Sequence, residues 1–207
     1  MVAWLAVGAG CIGSPGAAQQ SLMQGDMLLV RKDYTGAAAQ YSQAIAADPY
    51  LREAYLHRGI ALRGLGEYEP ALADLDRALK LDPTFGRAYA ERARAKLGQL
   101  AVRAAGDKDQ LAEAFGPTDP LGLNSDLERA VNLDGLSGDG LALLLRGAVR
   151  LMQQRDAEAQ QDFDRYLRRR PKAQPILDAA VVKWKQERPA LDLSPLEELG
   201  RLGPRRG

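Results

Sequence analysis

Cysteine and histidine are nearly missing from this chain, which holds one of each, Cys11 and His57. A single cysteine excludes an intramolecular disulfide, and one cysteine with one histidine falls short of a structural zinc site. A Ser-His-Asp or Cys-His catalytic set would have to use His57, inside a helical pattern beside Arg58, or Cys11, in an apolar N-terminal stretch. Aromatic residues are only 6% of the sequence, and β-branched runs are scarce, which disfavours a sheet protein. No run approaches the roughly 20 apolar residues a membrane-spanning helix needs. Neither sign of charge is in surplus: 28 Lys and Arg stand against 27 Asp and Glu, for a net charge of +1. That balance argues against nucleic-acid binding driven by phosphate neutralisation. Gly64-Leu65-Gly66 is not followed by Gly-Lys-Ser/Thr, so it makes no phosphate loop. Asp26 and Glu53 have no second ligand at close helical spacing. No catalytic residue, metal or cofactor is expected.

What is present in quantity is alanine, leucine, arginine and glutamate, the composition of an all-helical protein. Residues 53–83 set the pattern. Tyr55, Gly59, Leu62, Leu65, Tyr68, Ala71, Leu72, Leu75, Ala78 and Leu79 recur at steps of three and four, the period of helices with one buried face. Gly64-Leu65-Gly66 breaks the run into two helices and Asp82-Pro83 ends it, because proline disfavours helical geometry in its predecessor. One such hairpin cannot bury its apolar face alone, so it needs similar neighbours.

The neighbours are there. Gly25 and Gly59, Tyr34 and Tyr68, Ala37 and Ala71, Ala44 and Ala78, and Pro49 and Pro83 are all 34 residues apart. A 34-residue period of paired helices resembles the tetratricopeptide repeat family. On that resemblance Tyr55 is the aromatic that opens the first helix, Gly59 the small residue where the helices cross, and Ala71 the residue facing it. Leu62, Tyr68, Leu75 and Ala78 fill the other core positions, and Pro83 closes the repeat. Small residues at a crossing let two backbones approach while larger ones interlock around them.

A third repeat opens with Phe85, Ala88, Tyr89, Arg92 and Ala93, but its second helix is expected only at residues 121–133, about 18 residues late. The surplus falls around residues 99–119. Residues 100–105 lengthen the first helix, residues 110–115 add a short one, and residues 116–120 form a loop with a capping signal. The fourth repeat spans residues 140–171, where Arg146-Gly147 echoes Arg58-Gly59. Residues 175–187 then form an amphipathic capping helix with Ile176, Leu177, Ala180, Val181 and Trp184 on one side. The expected architecture is an all-α, α-α superhelix: a short solenoid of about four helix-turn-helix repeats plus this cap. The repeat domain covers residues 17–188, and the tail, 189–207, is expected to be mostly disordered.

Residues 1–16 read as a leader. Residues 2–12 (VAWLAVGAGCI) are apolar and uncharged, and residues 13–20 are small and polar. Gly8-Ala9-Gly10 before Cys11 is similar to a bacterial lipoprotein box, although Gly8 stands where that box usually has leucine. This implies export to the bacterial periplasm or envelope with a lipid on Cys11. The bland alternatives are a frayed tail or a misplaced start on a cytoplasmic protein.

The resemblance implies a protein-binding adaptor in which first helices line a concave groove. Its lining would be Leu22, Asp26 and Leu29; Leu56, Ile60 and Arg63; Ala90 and Arg94; and Leu144, Ala148 and Leu151, with Arg87 at the edge. Such a surface suits a protein or peptide partner with apolar anchors and an acidic group. The lysine and asparagine of the family's chaperone-tail clamp are replaced here by Leu22 and Asp26, and Glu91 replaces a later basic residue, so that clamp is not expected. Arg165, Arg168, Arg169, Arg170 and Lys172 form a basic cluster that suits a helix C-terminus. Asp74, Asp76 and Asp82 are expected on a solvated face. No nucleic acid is expected as a partner, and contact with a membrane only through a lipid on Cys11. A self-associating structural subunit is the alternative to the adaptor.

Overall fold

The computed structural model describes residues 15–104, 107, 113–115, 119–134 and 140–186. Among them are nine α-helices, one 3-10 turn and no strand. The expected leader, with Cys11, falls almost wholly outside these residues, as does the tail after residue 186; helix α1 begins at Pro15. The short helix expected at residues 110–115 lies only partly within them. The chain divides into two compact units, residues 1–81 and 82–207.

The first unit holds two hairpins, α1 (Pro15–Val30) with α2 (Tyr34–Ala47), and α3 (Arg52–Gly64) with α4 (Tyr68–Leu81). The Asp33 carboxylate caps α2 by accepting from the Gly36 N–H. Successive hairpins pack through α2 against α3, around a core of Leu22, Ala37, Tyr41, Ala44, Ala54 and Ala61. The second unit holds α5 (Gly86–Arg103), α6 (Leu123–Asp134), α7 (Leu141–Met152), α8 (Asp156–Arg169), a 3-10 turn (Pro171–Ala173) and α9 (Gln174–Gln186). Helix α5 runs on to Arg103, as its run of helix formers implies, and pairs with α6 across the insertion. The Asp119 carboxylate accepts from the N–H groups of Leu123, Asn124 and Ser125, which caps α6 as expected of that loop. Helix α9 packs on α7, with Leu177, Ala180 and Trp184 buried and Trp184 stacked on Phe163. That is the capping role its amphipathic pattern implies.

Three hairpin turns share one backbone. Lys32, Gly66 and Gln154 have positive φ of 61°, 80° and 60°. The next N–H in each case, from Asp33, Glu67 or Arg155, donates to the carbonyl of Leu28, Leu62 or Arg150 five residues earlier. This is the left-handed helix ending in which glycine is at home; Lys32 and Gln154 adopt it with a side chain.

The crossings are as tight as the small residues imply. A Cβ on Gly59 would lie 3.1 Å from the Ala71 carbonyl oxygen, and one on Gly147 would lie 2.4 Å from the Phe163 ring. Two of the family-based core positions are looser, since Leu62 and Tyr68 are only half-buried while Leu75 and Ala78 are buried. Gly147→Ala is expected to cost about 1–3 kcal/mol through overpacking against Phe163. Urea denaturation measures it, and an unchanged midpoint would mean that the helices do not approach this closely.

Candidate partner-binding surfaces

A helix face open to a partner must first be separated from the faces the fold uses itself, and charged residues make the distinction clearest. In α3, Arg58 projects toward α4, where its Nε and Nη2 donate to the two oxygens of Asp74, each at 2.7 Å; its Nη1 also reaches Ser42 on α2. The hydrogen bond to Asp74 holds the Arg58 guanidinium above its ordinary pKa. Arg146 makes the same fork to Asp162 between α7 and α8, and Arg92 grips Asp126 between α5 and α6. Asp126 also takes Lys96 at 2.7 Å, and Asp162 takes Arg150 at 2.6 Å. Asp74 is therefore not on a solvated face: it is 6% exposed, and Asp162 is 1% exposed. Asp82 is half-buried, and Asp76 is exposed, as expected.

The spacing is present in the sequence, since acid follows arginine by 16 residues in two repeats and by 34 where the insertion intervenes. The first repeat has Gln24 and Gln40 at the corresponding places, and Gln40 Oε1 is buried without a hydrogen-bond partner. Arginines also flank the opening aromatics. Arg58 and Arg77 lie over the Tyr55 ring, and Arg92 and Arg129 over Tyr89.

The first unit contains a second polar link. Asp26 Oδ1 on α1 accepts from the Tyr41 hydroxyl of α2 at 2.9 Å and meets His57 Nδ1 of α3 at 2.7 Å. The Tyr41 and His57 rings meet edge-on at 5.6 Å. The sole histidine thus ties three helices together. The Asp26 side chain stays 44% exposed. Sequence spacing alone does not show this link, because the three residues do not share one hairpin.

The expected groove residues divide sharply by burial. Leu22, Leu56, Ile60, Ala90, Leu144, Ala148 and Leu151 are buried. Asp26, Leu29, Arg63 and Arg94 are half-buried, and Arg87 is exposed. In the first unit α1 packs directly on α3, so Asp26 and Arg63 belong to neighbouring first helices. Glu91, which stands at a clamp position, is itself buried. Among the described residues no group of three or more His, Cys, Asp or Glu could hold a metal, and no helix is long and apolar enough to cross a membrane.

Residues 53–85 match the family model of the tetratricopeptide repeat. By that match, residues 53–85 form one repeat of the tetratricopeptide type. A thermophilic TPR protein of Thermus thermophilus is similar in fold, with a TM-score of 0.65 at 18% identity over 90% of this chain and 98% of its own. The Sgt2 TPR domain of Aspergillus fumigatus superposes with a TM-score of 0.55 at 18% identity, over 74% of this chain and 88% of that domain. No curated protein matches the sequence significantly. The all-α class and the helical repeat architecture stand as expected.

Two measurements test the charge network. Asp162→Asn, which leaves Arg146 and Arg150 facing a neutral group in a buried site, is expected to cost on the order of 3–5 kcal/mol by chemical denaturation. Asp74→Asn should cost less, because Arg58 is one cation and a quarter exposed. On the surface, the hydrogen bond from Arg155 holds the Glu158 carboxyl below its ordinary value. A depressed carboxylate favours the fold at neutral pH, and that contribution is lost as pH falls through the folded value. Arg155→Gln should therefore move the Glu158 midpoint upward, as read by carboxyl NMR.

Proposed function

We propose that this chain is a non-enzymatic adaptor that holds a protein or peptide partner on the first-helix faces of its repeats. The observation that carries the reading is the division of charges. The guanidinium-carboxylate pairs between helices are consumed by the fold, whereas Asp26 and Arg63 in the first unit, and Arg87 and Arg94 in the second, keep solvent access on first helices. Asp26 Oδ1 is occupied by Tyr41 and His57, while the side chain as a whole stays open to solvent. A carboxylate held in this way accepts a basic group without first having to be ordered. The arginines suit an acidic group. Within the first unit, Asp26 and Arg63 on the neighbouring helices α1 and α3 suit a segment with charged groups of both signs, and selectivity arises because a wrong sign at either point is repelled.

Co-purification from the native source, followed by calorimetry with the recovered partner, tests this reading. Arg63→Glu should keep the helical circular dichroism and weaken partner binding at least tenfold. Unchanged affinity in that variant removes the first-helix faces from the reading. Concentration-dependent self-association as the only interaction would favour a structural subunit.

A further inference from the structure

The C-terminal half of α8 keeps positive charge that the fold does not use. Between Asp164 and Asp178 the chain carries Arg165, Arg168, Arg169, Arg170 and Lys172 and no acidic residue. The acids on either side are engaged. Asp156 meets Lys185 of α9, Glu158 meets Arg150 and Arg155, and Asp162 takes Arg146 and Arg150. Asp164 and Asp178 accept from the side chains of Gln160 and Gln174. Of the five cations, Arg170 lies over the Tyr166 ring and Arg169 is half-buried. Arg165, Arg168 and Lys172 are exposed and make no hydrogen bond or ion pair among the described residues.

The helix dipole accounts for only part of this run. Its attraction for cations falls off within the last turn, which holds Arg168 and Arg169. Arg165 stands before that turn, and Lys172 stands beyond the helix in the 3-10 turn. Arg165 and Arg168, three residues apart, share one face of α8. A guanidinium forks onto a carboxylate with two hydrogen bonds, as Arg146 already does on Asp162 in the same unit.

The surroundings select among anionic partners. No large apolar side chain is exposed between residues 140 and 181, so the patch lacks the anchors that accompany basic residues on a membrane surface. Asp164, exposed beside Arg165, would meet an anionic lipid layer with like charge. A chain with a net charge of +1 is poorly suited to nucleic acid. An acidic peptide segment fits better. Its alternate carboxylates, about 7 Å apart when extended, lie within reach of two flexible side chains about 4.5 Å apart along the helix axis.

We propose that Arg165, Arg168 and Lys172 form a docking surface for an acidic segment of a partner protein, with carboxylates seated on the two arginine forks. Helix α8 is the second helix of its hairpin, so this contact is additional to any made on the first-helix faces.

The probe is a fluorescein-labelled peptide of alternating glutamate and glycine, capped at both ends and titrated with the full chain. Anisotropy is read at about 0.1 M salt, where exposed charges more than about 10 Å away are largely screened. Arg165→Gln, Arg168→Gln and Lys172→Gln together are expected to weaken binding at least tenfold while the helical circular dichroism is unchanged. Arg31→Gln, Lys32→Gln and Lys80→Gln remove the same charge from exposed positions of the first unit and are expected to change it less than twofold. Arg63→Glu, which tests the first-helix faces, is expected to leave it within about threefold, so the two readings fail separately. Equal weakening in the two triple variants overturns the proposal, because diffuse charge would then explain the binding. So does a parent chain that does not bind the peptide, including one that instead binds phosphatidylserine–phosphatidylcholine vesicles through the same three residues.

Discussion

A guanidinium locked onto a carboxylate between the two helices of a hairpin is the interaction on which the repeat geometry turns. Burying two charges is costly, and an ion pair of this kind returns little net stability compared with well-packed apolar residues. What it does return is position. Arg58 immediately precedes Gly59, and Arg146 immediately precedes Gly147, so the fork and the close approach are adjacent on the same helix. Sliding the second helix by one residue would rotate Asp74 or Asp162 away from its arginine, leave a buried charge alone and drive a side chain into the crossing. The cost of a wrong register is therefore far larger than the value of the right one.

The insertion shows how strong that constraint is. Arg92 finds Asp126 across 34 residues of chain, and Tyr89 keeps its two arginines although Arg129 is displaced in sequence by the same surplus. The extra residues leave the hairpin between α5 and α6 in register, with Asp119 starting α6 as a new cap. Length can be added between the helices of a hairpin at modest entropic cost, because closure entropy grows only with the logarithm of loop length. The pairing of the helices cannot be altered so cheaply.

The fold is largely legible in the sequence because its signals are periodic: a 34-residue spacing, small residues at the crossings, proline at a repeat end and an amphipathic last helix. Asp74 is not, because apolar periodicity marks a face as polar without saying whether water or an arginine meets it. The arginine spacing carries that information, but only when Arg58 and Arg146 are read together with the acids 16 residues on. His57 is harder still, since Asp26 and Tyr41 reach it from the other hairpin. The groove assignment has the same weakness. Family position identifies Leu56, Ala90 and Leu144 as first-helix residues, whereas exposure is decided by every neighbour at once, and all three are buried.

This division bears on how such a scaffold acquires a partner without losing its fold. Charges in the inter-helix pairs are unavailable to a ligand, since recruiting one would strand its mate in a buried site. Charges outside the pairs can diverge. Arg87 is exposed, and Asp26 keeps one oxygen beyond the two contacts that orient it. A change at Arg87 alters what the surface attracts while leaving Asp74, Asp126 and Asp162 paired. Asp26 is different, because the same carboxylate links α1 to α2 and α3 and presents the acceptor. On the proposed reading, binding at Asp26 would be coupled to the integrity of the first unit, because exchanging Asp26 for another charge loosens the helix that carries it.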